Sequence, residues 1–153
     1  MPPPAQELKK LDYFAGTWLL EGEMKPGPMG PGGKVTESDV NRWMDGGFFL
    51  VVRSDFTIAA MGSATGVAYM GYDSNQKVYT YDEFNSIGDA IHSKGTLDGD
   101  TWTWSGERVT DAGTAKTRWV VDVVSSDSYN FRFEMSQDTK TWTTVMEGKA
   151  VRK

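Results

Sequence analysis

The sequence predicts an all-β fold, an antiparallel up-and-down β-barrel of about ten strands with one short N-terminal helix plugging an end. Three observations carry that expectation. From residue 16 onward, apolar and polar residues alternate at period two in segment after segment, with Gly, Asp, Asn and Ser clustered between the segments. Aromatic residues make up 12% of the chain, with 6 Trp, 6 Tyr and 7 Phe, and such side chains suit the pleated surface of a sheet. None of the joints supplies the dozen or so residues that a parallel crossover needs, so neighbouring strands pair antiparallel. A meander this long disposes of its two open edges by closing on itself.

The elements follow in order. Residues 5–14, AQELKKLDYF, form the helix: Leu8, Leu11 and Phe14 or Ala15 share one face, Pro4 suits a first turn and Gly16 a C-terminal cap. Strands are expected near 16–24, 34–44, 47–56, 64–72, 76–84, 89–97, 100–108, 115–124, 128–136 and 141–151. Short joints such as MDGG, YDSNQ, LDGD and SSDS separate them. Two longer loops, 25–33 and 57–63, are placed at the open end. The Pro- and Gly-rich run PGPMGPGG is too short for a collagen-like helix and reads as a loop.

A flat sandwich has a similar strand count, and the alternation argues against it. In YNFRFEMS, Tyr129, Phe131, Phe133 and Met135 share one face while Asn130, Arg132, Glu134 and Ser136 share the other. In KVTESDVNRW and AIHSKGT both faces carry polar groups, which a dry two-sheet core tolerates poorly. Polar groups on an inward face imply an interior that holds water or a ligand.

Composition bounds the function. The chain of 153 residues has the size of one domain, read as a single barrel unit over 1–153 with the helix at 5–14 and the barrel at 16–151. A formal charge of -5 gives no electrostatic footprint for nucleic acid. The absence of Cys excludes thiolate catalysis, thiolate metal sites and disulfides. No stretch approaches a membrane span and the first fifteen residues lack the apolar run of a signal peptide, so the expectation is a cytoplasmic monomer or homodimer.

The helix leading into Gly16-x-Trp18 on the first strand of a meander resembles the calycins, which include lipocalins, fatty-acid-binding proteins and nitrobindin-like barrels. That resemblance implies that Trp18 packs across the closed end against a basic side chain of the last strand, here Arg152, with Lys149 and Lys153 as weaker choices. The layout LDYFAGTW, RWMDGGFFLVV, GYDSNQKVYTYDEF is similar to the uncharacterised bacterial family DUF1579. Nitrobindin-like barrels hold haem through a His near the C-terminus. The final strand here has no His, so the expectation is no cofactor and no metal, and haem would have to be held by His92 from another wall.

The candidate ligand-binding residues are Trp43, Tyr79, Tyr81, His92, Trp102, Trp104, Trp119, Phe131, Phe133 and Met135. Trp102, Trp104 and Arg108 share one face, as do Trp119 and Val121, and as do Tyr79, Tyr81 and Glu83. Large rings give wide contact at low entropic cost, and a few hydroxyls set orientation, as in mostly apolar pockets. The same rings also serve as plain core filler. Arg42, Arg53, Arg108, Arg118 and Arg132 are candidates to meet an acidic ligand, with Glu37, Asp39 or Asp122 as internal partners.

His92 shares its face with Ala90, Lys94 and Thr96, and either faces solvent or enters the interior as a general base. The leading expectation is a carrier or sensor for a small hydrophobic or amphipathic molecule. The alternatives are a cofactor-free isomerase or cyclase using His92, and a structural module with a filled core.

Overall fold

The structure is a computed structural model that describes residues 1–27, 29–59 and 61–153. Pro28 and Ala60 lie outside the described residues, so the two long loops assigned from sequence are each described apart from one position. Ten strands follow the helix: β1 (Gly16–Met24), β2 (Gly33–Trp43), β3 (Leu50–Ile58), β4 (Gly62–Asp73), β5 (Val78–Asn85), β6 (Ala90–Asp98), β7 (Thr101–Thr110), β8 (Gly113–Ser125), β9 (Ser128–Ser136) and β10 (Thr143–Arg152). Each pairs antiparallel with its neighbour in sequence, and β1 pairs with β10 to close the barrel. No helix among the described residues is long and apolar enough to cross a membrane.

The helix, Gln6–Phe14, is a 3₁₀ helix whose buried residues are Leu8, Leu11 and Phe14. Three residues per turn eclipse side chains at i and i+3, so this spacing puts all three in one line, which an α-helix would splay by about 60° per step. Burial of that line offsets the poorer hydrogen-bond geometry of a 3₁₀ run this long. The third strand begins later than its apolar pattern suggests. Gly46 and Gly47, at φ +97° and +76°, hold a turn in which Met44 N–H donates to Phe49 O at 2.9 Å, and this turn takes up residues 44–49.

Because β1 leaves the helix, the helix end of the barrel carries the turns after β2, β4, β6 and β8, and the opposite end carries the loops at 25–32, 59–61, 86–89, 111–112 and 137–142. The helix is tied across the barrel mouth by side chains from several strands. Tyr79 Oη donates to Glu7 O at 2.8 Å, Asn41 Nδ2 to Phe14 O at 2.8 Å, and Tyr13 Oη to Ser128 O at 3.0 Å. The core sits under it, where Trp18 and Trp102 are 1% and 2% exposed.

Candidate functional site

The register fixes which side chains face inward. Trp18 pairs with Asp39 and with Arg152, Leu20 with Glu37, Asp39 with Ser54, Met70 with Tyr81, and Trp104 with Gly95 and Trp119. Following these rows around the barrel, the sequence candidates divide into three groups.

The first group packs beneath the helix. Trp43 Nε1 donates to Asp12 Oδ1 at 2.6 Å and the Tyr79 hydroxyl is spent on Glu7, so neither polar atom is left for a ligand. Trp102 lies 4.9 Å from Tyr79 and 5.3 Å from Phe14 between ring centroids, and Phe131 stacks on Trp119 at 4.9 Å. Arg152 spreads over Trp18 at 4.3 Å from the ring centroid while its guanidinium donates to the carbonyls of Tyr13, Ala15 and Ser126. Trp18 Nε1 donates to Phe14 O at 3.0 Å.

The second group faces inward farther from the helix. Tyr81, Trp119, Phe133 and Met135 are only half-buried, although all four sit on the inner face. Trp104 marks the boundary: it stacks parallel to Trp102 at 5.8 Å and lies 5.9 Å from Tyr81. Its ring rests directly on Gly95, where an added Cβ would sit 2.5 Å from the ring, so only glycine lets the indole lie flat there.

The third group lies outside. The His92 side chain is 64% exposed, with Nδ1 2.7 Å from Asp82 Oδ1 and the ring edge against Phe84 at 6.1 Å. The general-base and haem-ligand roles for His92 are therefore corrected. Period-two alternation puts Ile91, Ser93 and Gly95 inward and turns the one imidazole of the chain away from the interior. Apart from Arg108, the candidate arginines also lie away from the interior. Arg42 and Arg53 are exposed, and Arg118 and Arg132 bind Glu134 and Asp122 on the outer face. Arg108, on the inner face of β7, reaches Asp89 in the 86–89 loop at 3.2 Å.

What occupies the middle of the interior is acidic. Glu37, Asp39 and Ser54 lie within hydrogen-bonding reach of one another, and Glu83 is close enough for its charge to bear on both carboxyls. Burial pushes the Glu37 carboxyl well above the ordinary carboxylate range; the charge of Asp39 and then of Glu83 push the same way, and the Ser54 hydrogen bond opposes them. Burial likewise raises Asp39.

Tyr81 Oη donates to Glu83 Oε2 at 2.5 Å, and burial together with that carboxylate keeps the phenol well above its usual range. Tyr129 is raised by burial and by the charges of Asp39 and Glu37. Glu37 and Tyr81 both face inward and keep some accessible surface. Glu37 and Phe56 also border an open recess of about 550 Å³ against the β1–β4 wall, shared with Thr36, Ser38, Asp55 and Thr57. Among the described residues no three His, Asp or Glu side chains converge as a metal ion requires.

From sequence, Glu37 and Asp39 appear only as partners for an inward arginine. A sharper signal was present in KVTESDVNRW. Val35 and Trp43 bracket the alternating set Val35, Glu37, Asp39, Asn41, Trp43, and two apolar ends on one phase put the acids between them inside. Ser54 carried no comparable signal, because its inward position follows only from its pairing with Asp39.

Residues 3–152 match the family model described as "Protein of unknown function (DUF1579)". Among solved structures, the crystal structure of Rv2717c from M. tuberculosis matches with a TM-score of 0.67 at 14% identity, covering 98% of this chain and 99% of that one. A de novo designed fluorescence-activating β-barrel matches with a TM-score of 0.51 at 15% identity, over 93% of this chain and 95% of that one. The designed EF1p2_mFAP2b bound to DFHBI matches at 0.51 and 10% identity, over 95% and 98%. At these identities the likeness is one of fold. No curated protein matches the chain.

Proposed function

We propose, for a chain that belongs to the DUF1579 family of proteins of unknown function, that the half of its barrel away from the helix binds a small apolar or amphipathic molecule. The observation that carries this reading is the change in burial along one inner face. Phe14, Trp18, Tyr79 and Trp102 are fully buried at the helix end, where Trp43 at the rim is half-buried but bonded to Asp12, whereas Tyr81, Trp119, Phe133 and Met135 keep accessible surface although they point inward. Half-exposed rings converging on a concave interior with a few polar groups are the usual make-up of a ligand pocket. A barrel of this topology holds DFHBI in the designed EF1p2_mFAP2b, which supports the capacity of the architecture. The filled-core alternative accounts for Trp18, Tyr79 and Trp102 and leaves the half-buried Tyr81, Trp119, Phe133 and Met135 unexplained.

The test pairs native mass spectrometry of the purified protein with titration of tryptophan emission by fatty acids, retinoids and porphyrins. Binding predicts saturable quenching by at least one class, weakened in Trp119→Ala. No retained ligand together with no quenching across the panel overturns the reading.

A further inference from the structure

The interior acids are unusual for what they lack. On the outer face this chain shows how it accommodates a covered carboxylate. Burial alone would raise Glu134, but hydrogen bonds from Arg118 and Arg132 hold it below the ordinary range. Inside the barrel, nothing that bears on Glu37 or Asp39 is a cation, and Arg108 is engaged by Asp89.

The Asp39 residue is 8% exposed and its Oδ1 has no partner. Asn41, two residues along the same inner face and 5% exposed, is in the same state: its amide donates to Phe14 O, which fixes the flip, and its Oδ1 is left unpartnered. Buried acceptors without donors are costly, and the Tyr81 hydroxyl is already given to Glu83. The site therefore presents acceptors without donors, Asp39 Oδ1 and Asn41 Oδ1, beside carboxyls that no cation faces.

We propose that Glu37, Asp39 and Glu83 receive the protonated amine head of an amphipathic ligand whose apolar body lies on Trp119, Phe133 and Met135. The inference rests on the interior-binding reading above and names the ligand class. An ammonium brings three donors, no acceptor and one positive charge, which is the complement of this cluster. An alcohol meets the acceptors with a single donor and no charge, and a carboxylate adds an acceptor and a like charge.

The two parts of the site are contiguous, since Tyr81 stands 5.9 Å from Trp104 and bonds Glu83. The ring face of Tyr81 also offers a cation–π contact to the head group.

Three probes with one ring system and different heads test this: 2-naphthylmethylamine, 2-naphthylmethanol and 2-naphthoate, titrated calorimetrically at neutral pH. The amine is expected to bind at least about 10-fold tighter than the alcohol, with naphthoate weakest. Glu37→Gln and Asp39→Asn, which keep shape, are expected to remove most of that preference while leaving the affinity for the alcohol within about 2-fold. Equal affinities for the three heads, a preference for naphthoate, or an amine preference that survives both substitutions overturns the inference and leaves interior binding standing. Failure of all three probes to bind overturns both.

Discussion

The two halves of this barrel use the same ten strands and treat their inward residues in opposite ways. Under the helix most polar atoms are matched to partners that tie two elements together: Tyr79 to Glu7, Trp43 to Asp12, Trp18 to Phe14, and Arg152 to three carbonyls, with the Asn41 Oδ1 the exception. Rings there meet edge to face, as Phe14 and Tyr79 do against Trp102. In the other half, rings are half-exposed and acids crowd together without a cation. The second half keeps unmet interactions, a common trade at sites that bind something.

The difference can be broken most forcefully at the plug. Trp18→Ala removes a 1%-exposed indole that supports Arg152 and Tyr129, and should cost about 3–5 kcal/mol in urea denaturation. Trp119→Ala, in the half-buried wall, should cost clearly less and act mainly on binding. Equal losses at the two sites would erase the distinction between halves.

Gly95→Ala comes next, because the new methyl collides with the Trp104 ring. An overpacking cost of about 1–3 kcal/mol and a changed near-UV circular dichroism spectrum are expected. An unchanged spectrum would mean that the ring does not rest on β6.

The acids give a smaller effect with an informative sign. Folding raises the Glu37 carboxyl above its ordinary value near 4.5, so between those limits the folded chain holds more protons than the unfolded one. Its contribution to stability therefore falls as pH rises through that window. Glu37→Gln should flatten this dependence and stabilise the protein by about 1 kcal/mol at pH 8, as measured by denaturant titration at several pH values. Destabilisation by Glu37→Gln at pH 8 would mean that the carboxylate is already compensated. Smallest is His92→Ala: with an exposed pairing to Asp82, it should change stability by less than about 0.5 kcal/mol and leave ligand affinity unchanged.

The fold was legible because a barrel wall writes itself as alternation. The strand expected at 16–24 is Gly16–Met24 and that at 128–136 is Ser128–Ser136, and both carry largely period-two patterns closed by turn residues. The third strand slipped by three residues at its start because two consecutive apolar rings, Phe48 and Phe49, continue the pattern into a turn that Gly46 and Gly47 impose.

The site was harder to read, since alternation gives two faces per strand and only neighbours decide which is inner. For β9 the aromatic content of one face decided the matter, whereas for β5, with Tyr79 and Tyr81 on one face and Val78 and Phe84 on the other, both orientations stayed open. For β6, where both faces of AIHSKGT are mixed, they stayed open too, and His92 proved to be on the outside. The charge state of Glu37 lay beyond reach of sequence, because it depends on Asp39, Ser54 and Glu83 arriving from three strands.

The most direct measurement of the central claim uses the indole N–H signals of the tryptophans in a ¹⁵N–¹H correlation spectrum titrated with 2-naphthylmethylamine. Binding in the open half predicts that the Trp119 and Trp104 signals move with saturation while Trp18 and Trp43, hydrogen-bonded to Phe14 and Asp12 at the plugged end, stay fixed. Movement of Trp18 and Trp43 with Trp119 unchanged would contradict the division of the barrel into a sealed half and a receiving half.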